Sequence, residues 1–261
     1  RKKLCIPSSQ RYFLMYEAFK KGMTVDEDGF NALMQQQREK ARNARKASDG
    51  ESWSSDGINF DDVAATEFLG YTANECEATV VDIVVEGEHV SNANAGQKAI
   101  IVLDKTVFYA ESGGQVGDTG VIGEFAVVDT KKTVDGIFTH IGTAGATISV
   151  GDKVEAKIDV ARREAIRRNH TAAHLLQAAL RQVLGTHVEQ AGQLVNEKSV
   201  RFDFTHFSAL TAEETQQVEN LVNGAILDGT VVDNREMPID EARALGAMAL
   251  FGEKYGDIVR V

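Results

Sequence analysis

Between Cys76 and Ile158 the apolar residues come in short runs with turn-forming residues between them: Ala78 to Val85, Ala99 to Leu103, Gly123 to Val128, Gly136 to Ile141 and Val154 to Ile158. The runs are rich in β-branched residues and recur about once per dozen residues, which predicts a small antiparallel β-barrel. At Asp159 the period changes. Ile166, Ala173, Leu176, Leu180 and Val183 recur at three- and four-residue steps, the stripe of a long helix with Asp159 as N-cap and Gly185 as its stop. Val200, Phe202 and Phe204 then alternate with Arg201, Asp203 and Thr205, predicting a half-buried strand that pairs back on Val188 to Val195 across Asn196 to Ser199. Thr211-Ala-Glu-Glu214 is a capping box opening a second amphipathic helix, with Val218, Leu221, Val222 and Ala225 as its stripe. Thr230 to Glu236 reads as a strand, Asp240 to Leu245 as a short helix and Ile258 to Val261 as a strand. The expected class is α+β: a small antiparallel barrel, then an α/β sandwich with helices on one face of an antiparallel sheet.

Upstream of the barrel, Thr24 caps a segment with Asp26, Glu27 and Asp28 in its first turn and Phe30, Leu33 and Met34 on one face. Arg38, Lys40, Arg42, Arg45 and Lys46 load its later turns, and a helix is expected there. Ser48 to Asn59 has the Ser, Gly and Asp content of a linker, with Trp53 as an anchor against a neighbouring domain. The expected organisation is an N-terminal helical segment over 1–47, a linker over 48–60, a barrel over 61–158 and an α/β part over 159–261. No role is assigned to residues 1–16.

The chain has 261 residues, enough for a core that needs no disulfide staples, and only two cysteines, Cys5 and Cys76. That usage, with no run of apolar residues long enough to span a bilayer and no signal-peptide core, predicts a cytoplasmic protein. The net charge of -11 argues against indiscriminate nucleic-acid binding through a broad positive field. Locally the balance differs: Arg162, Arg163, Arg167, Arg168 and Arg181 crowd the long helix against one acid, Glu164. Such a face is ordinarily solvated surface, but its place beside the histidines described next points to a phosphate-facing role for Arg162, Arg163, Arg167 and Arg168.

His170 and His174 leave the long helix on one face, about 6 Å apart along the axis, the spacing at which two imidazoles can share a metal ion. A bare pair of this kind reads equally as two helix histidines satisfied by polar neighbours. Thr171 follows His170, so the Glu of the His-Glu-x-x-His metalloprotease motif is missing and peptidase chemistry is not expected.

The wider text is more specific. Arg168-Asn-His-Thr-Ala-Ala-His-Leu-Leu-Gln177, Leu184-Gly-Thr-His-Val-Glu-Gln190 and Arg201-Phe-Asp-Phe-Thr-His206 follow Phe108-Tyr-Ala-Glu-Ser-Gly-Gly-Gln-Val-Gly-Asp-Thr-Gly120. They precede Met237-Pro-Ile-Asp-Glu-Ala242 and Ala247-Met-Ala-Leu-Phe-Gly-Glu-Lys-Tyr-Gly-Asp257. In this order the motifs closely resemble the editing domain of bacterial alanyl-tRNA synthetases, shared with free-standing alanyl-tRNA editing proteins, over about residues 20 to 261.

The resemblance implies a barrel like that of translation factors and hydrolysis of the ester that joins serine or glycine wrongly to tRNA(Ala). A pocket for alanine rejects these amino acids by only a few kcal/mol, so a second, hydrolytic site is the remedy. It implies zinc held by His170 and His174, Gln190 as a polar group acting in the pocket, and Ala173 beside the pocket where many members have threonine. It also places the loop Ser112, Gly113, Gly114 and Gln115 near the substrate; with Gly117 and Gly120, that loop can in principle turn backbone amides toward an anion. The remaining zinc ligands of the family come from a Cys-Gly-Gly-Thr-His motif beyond Val261, so this stretch is expected to bind zinc weakly and to edit little by itself; His187, His206 and Asp203 are the weaker candidates to complete the site. ATP and magnesium are expected only in an aminoacylation part that the resembling stretch does not include. Other readings are a free-standing trans-editing hydrolase, against which the helix from Thr24 speaks, and a noncatalytic tRNA-binding module.

Overall fold

A computed structural model of the chain describes Gly29 and residues 33–36, 58–60, 62–247 and 256–261. The chain divides into two compact units, residues 1–54 and 55–261. In the first, Gly29 and residues 33–36 are helical. The rest of the helix expected from Thr24 to Lys46, and the anchor Trp53, lie outside the described residues.

In the second unit six strands form the barrel: β1 (Glu75–Val85), β2 (Lys98–Leu103), β3 (Gly120–Ile122), β4 (Phe125–Lys132), β5 (Phe138–Ala144) and β6 (Lys153–Ile158). Around the barrel the order is β1, β2, β5, β4, β3 and β6, every neighbour antiparallel, and β6 pairs with β1 to close the ring. Closure leaves these strands without a free edge. Ala78 and Val80 point inward from β1; a register shift between Val80 and Asp82 then moves the inward set to odd positions, so Ile83 joins the same core. Ile101, Leu103, Phe108, Ile122, Phe125, Val127 and Ile158 complete the filling.

One polar group is sealed inside. His140 has no exposed surface; its Nδ1–H donates to the Ile101 carbonyl at 2.9 Å and its Nε2 accepts from the Thr106 hydroxyl at 2.8 Å. Both ring nitrogens are satisfied in the neutral form, and burial pushes the pKa down to about 4.

Helix α1 (Val160–Leu184) leaves the barrel directly after β6. Asp159 caps it, its carboxylate accepting from the Arg162 amide at 2.9 Å, and Gly185 ends it. Ile166, Ala173 and Leu180 are buried as the stripe requires, with Leu176 and Val183 partly buried. This face lies on the hairpin β7 (Gln190–Val195) and β8 (Val200–Phe204), whose pairing matches the expected turn at 196–199. Helix α2 (Ala212–Leu227) opens with the expected capping box, Thr211 and Glu214 bonding reciprocally, and packs Val218, Leu221 and Val222 against α1.

The strand expected from Thr230 to Glu236 is not formed over 230–235. Val231 and Val232 are exposed, and only β9 (Glu236–Pro238) pairs, antiparallel, with β10 (Ile258–Arg260). β-branched residues make a strand when a partner lies alongside; Arg235 exchanges backbone hydrogen bonds with Val261, and no pairing of 230–234 is formed among the described residues. The short helix α3 (Ile239–Ala244) falls where expected. Among the described residues, the strands of this part form two separate two-stranded pieces. Among the described residues, no helix is long and apolar enough to cross a membrane.

Candidate functional site

The site is built where the glycine-rich loop of the barrel meets α1 and β7. Ser112 and Gln115 bond each other's backbone, the Gln115 amide to the Ser112 carbonyl at 2.9 Å and the Ser112 amide back at 3.2 Å. The next amide, Val116, donates to the Val195 carbonyl at 3.1 Å, and the Val195 amide returns to Gly114 at 2.7 Å. Gly114 is required here. Its φ of +77° disfavours a side chain, and a Cβ would stand 2.5 Å from Cγ and 2.7 Å from the carbonyl oxygen of Gln193. The Gln193 side-chain amide also donates to the Gly113 carbonyl. The loop is thus sewn to β7, and Val116 joins Ile166, Ala173 and Val195 in a small core beneath α1. The amides of Ser112, Gln115, Val116 and Asp118 are given to carbonyl oxygens within the fold.

The arginines sort differently from their sequence reading. Arg163 is buried rather than phosphate-facing. Its guanidinium grips the Asp118 carboxylate and donates to the carbonyls of Gly70 at 2.9 Å and Val107 at 3.0 Å. Its position three residues before Ile166 places it on the inward stripe, and that was the available signal. Arg162 donates to the Gly117 carbonyl at 2.8 Å and faces Glu197 at 3.3 Å. Arg167 is exposed and pairs with Glu164 at 2.7 Å, while Arg168 is exposed with no ion-pair partner among the described residues.

The two histidines come together. The rings of His170 and His174 lie 5.3 Å apart between centroids, with planes within 8° of parallel. His170 is partly buried and His174 exposed. Burial, and then the neighbouring His174, hold the His170 pKa below the usual imidazole value, so the ring is neutral at physiological pH. Nδ1 of His170 lies 2.7 Å from the Gln115 carboxamide oxygen.

Zinc takes three or four protein ligands, and neutral imidazoles are among its usual donors. His170 and His174 fit as two of them. Among the described residues no third His, Cys, Asp or Glu joins them in a ligand group. The weaker candidates are engaged elsewhere: His187 and His206 bond each other, Nε2 to Nδ1, at 3.0 Å beside Phe207, and Asp203 pairs with Arg201 at 3.2 Å.

Gln190 opens β7 opposite Phe204, next to a register shift between Gln190 and Gly192. No hydrogen bond joins its side chain to either histidine among the described residues. Ala173 is buried in the small core with Ile166 and Val195, so a threonine hydroxyl at that position would meet packed side chains. On the same stripe of α1, Gln177 is buried and its carbonyl oxygen has no hydrogen-bond partner among the described residues.

A model of tRNA synthetases class II (A) matches residues 15–162. The chain belongs to that family of class II tRNA synthetases. It is 51% identical over 246 residues to an alanine–tRNA ligase of Acetivibrio thermocellus, and 49% identical over 244 residues to an alanine–tRNA ligase of Bacillus velezensis. Each match covers 92% of this chain and 28% of the relative's length.

Proposed function

We propose that the chain is the editing part of an alanine–tRNA ligase acting in the cytoplasm, and that the ligase uses this part to hydrolyse seryl- or glycyl-tRNA(Ala) made in error. The observation that carries this reading is the near-parallel pair His170 and His174 on one turn of α1, backed by the buried Gln115. His170 and His174 are the residues that would hold zinc, which when bound supplies a Lewis acid for an ester carbonyl or its attacking water. The chain's own residues bind and orient. Neutral imidazoles keep lone pairs available, and Gln190 offers an amide donor and acceptor to the amino acid or its ester. Arg168, and Arg167 when released from Glu164, offer charge to the phosphates of the tRNA 3′ end. ATP and magnesium belong, on this reading, to the aminoacylation activity of the ligase rather than to this site.

The test is incubation of preformed seryl-tRNA(Ala) and alanyl-tRNA(Ala) with a ligase carrying this sequence. Release of serine with alanine left in place is expected. Binding of tRNA without release of serine would favour a noncatalytic tRNA-binding module instead.

A further inference from the structure

The hydrogen bond between Gln115 and His170 selects one form of the ring. A carboxamide oxygen 2.7 Å from Nδ1 can only accept, so the neutral imidazole carries its proton on Nδ1 and leaves the lone pair on Nε2. We propose that Gln115 is a positioning residue that fixes the orientation and tautomer of His170, making Nε2 the nitrogen presented for ligation. The sequence resemblance suggests a substrate contact for Gln115; the geometry gives it a different task. Only the use of the freed Nε2 rests on the proposed zinc-dependent hydrolysis, because the tautomer follows from the contact itself.

The surroundings suit that task. Gln115 is 6% exposed, so its carboxamide meets little competition from water. Its backbone is held by the Ser112 pair, and its neighbours Gly114 and Val116 are both bonded to Val195. Three residues further on, Asp118 is gripped by Arg163, which stands seven residues before His170 on the same helix. The segments that carry the acceptor and the ring are therefore joined at two points, by Arg163 to Asp118 and by Arg162 to the Gly117 carbonyl. A half-turn of the imidazole about its Cβ–Cγ bond would break the bond to Gln115 without changing the helix. The carboxamide is thus what distinguishes the two ring orientations. Histidines that ligate metals commonly donate their second N–H to such an oxygen, which fixes the ring and makes the ligating nitrogen more basic.

The test is long-range 1H–15N spectroscopy of the imidazoles in the 15N-labelled 261-residue chain, at alkaline pH where the rings are neutral. His170 is assigned by its loss in His170→Ala. The wild type is expected to show the Nδ1–H tautomer at His170. Gln115→Met, which keeps the side-chain length without the acceptor, is expected to move it toward the Nε2–H form, and Gln115→Glu, which keeps an acceptor, to retain Nδ1–H. An Nε2–H ring in the wild type, or an unchanged ring in Gln115→Met, would overturn the proposal; if Gln115→Met fails to fold, the wild-type and Gln115→Glu spectra decide. A ligase carrying this sequence is expected to bind zinc about 10- to 100-fold more weakly with Gln115→Met than without it. Absence of any zinc binding by that ligase counts against the metal reading and leaves the tautomer result standing.

Discussion

Arg163 and Asp118 stand 45 positions apart and meet as a buried ion pair, with the arginine in the first turn of α1 and the aspartate at the end of the glycine-rich loop. Nε and Nη2 of the guanidinium donate to the carboxylate, Nη2 also to the Val107 carbonyl and Nη1 to the Gly70 carbonyl, while Asp118 also accepts from the Tyr109 amide at 2.7 Å. The pair joins helix to barrel at the point from which both His170 and Gln115 are aimed.

Removing one partner strands the other charge in a dry place. Arg163→Met is therefore expected to lower the unfolding free energy by about 3 to 5 kcal/mol. Adding Asp118→Leu should recover much of that loss, since two apolar side chains leave no unpaired charge. Urea unfolding of the single and double variants checks this; additive losses would deny the coupling.

His140 predicts a pH dependence. Its folded-state pKa is about 4, below the ordinary 6.5, so as pH falls the unfolded chain takes the proton first. The contribution of this group is fully present above pH 6.5 and is lost as pH falls from 6.5 toward 4, at about 1.4 kcal/mol per unit, or about 3 kcal/mol in all. The difference in unfolding free energy between wild type and His140→Gln should shrink or invert over that window and stay constant above it. A constant difference throughout would mean that the ring takes up its proton in the folded protein as readily as in the unfolded chain.

Gly114 is expected to tolerate no side chain. Gly114→Ala places a methyl against the Gln193 backbone at a positive φ, at a cost of about 1 to 3 kcal/mol, and should loosen the loop from β7. Amide exchange at Val116 and Val195, whose hydrogen bonds hold that junction, would report the loosening; unchanged protection would contradict it.

Gln177 gives an expectation of opposite sign. Its buried carbonyl oxygen lacks a partner, so Gln177→Met, which keeps the shape without the polar group, should raise stability by about 1 kcal/mol. A loss of stability would mean that the oxygen is hydrogen-bonded in solution.

Much of this architecture is legible in the residues themselves. The stripe from Ile166 to Val183, the alternation of Val200, Phe202 and Phe204, and the Thr211 capping box each repeat at the period of one element, and each forms as written. The three-residue strand Gly120–Ile122 is not legible, because it is too short to show an alternation. Thr230 to Val232 carry strand propensity but are unpaired among the described residues, and pairing is not something a local pattern reveals. At the site, the spacing of His170 and His174 gives the pair directly. The bond from Gln115 depends on a fold-wide closure, and the burial of Arg163 on a partner, Asp118, that only the folded barrel brings near.

The most direct measurement is single-turnover deacylation of preformed seryl-tRNA(Ala) by a ligase carrying this sequence, run beside its His170→Ala variant. The account predicts serine release by the wild type, and a loss of about two orders of magnitude or more in the variant with tRNA binding intact. Equal rates in the two proteins would contradict it.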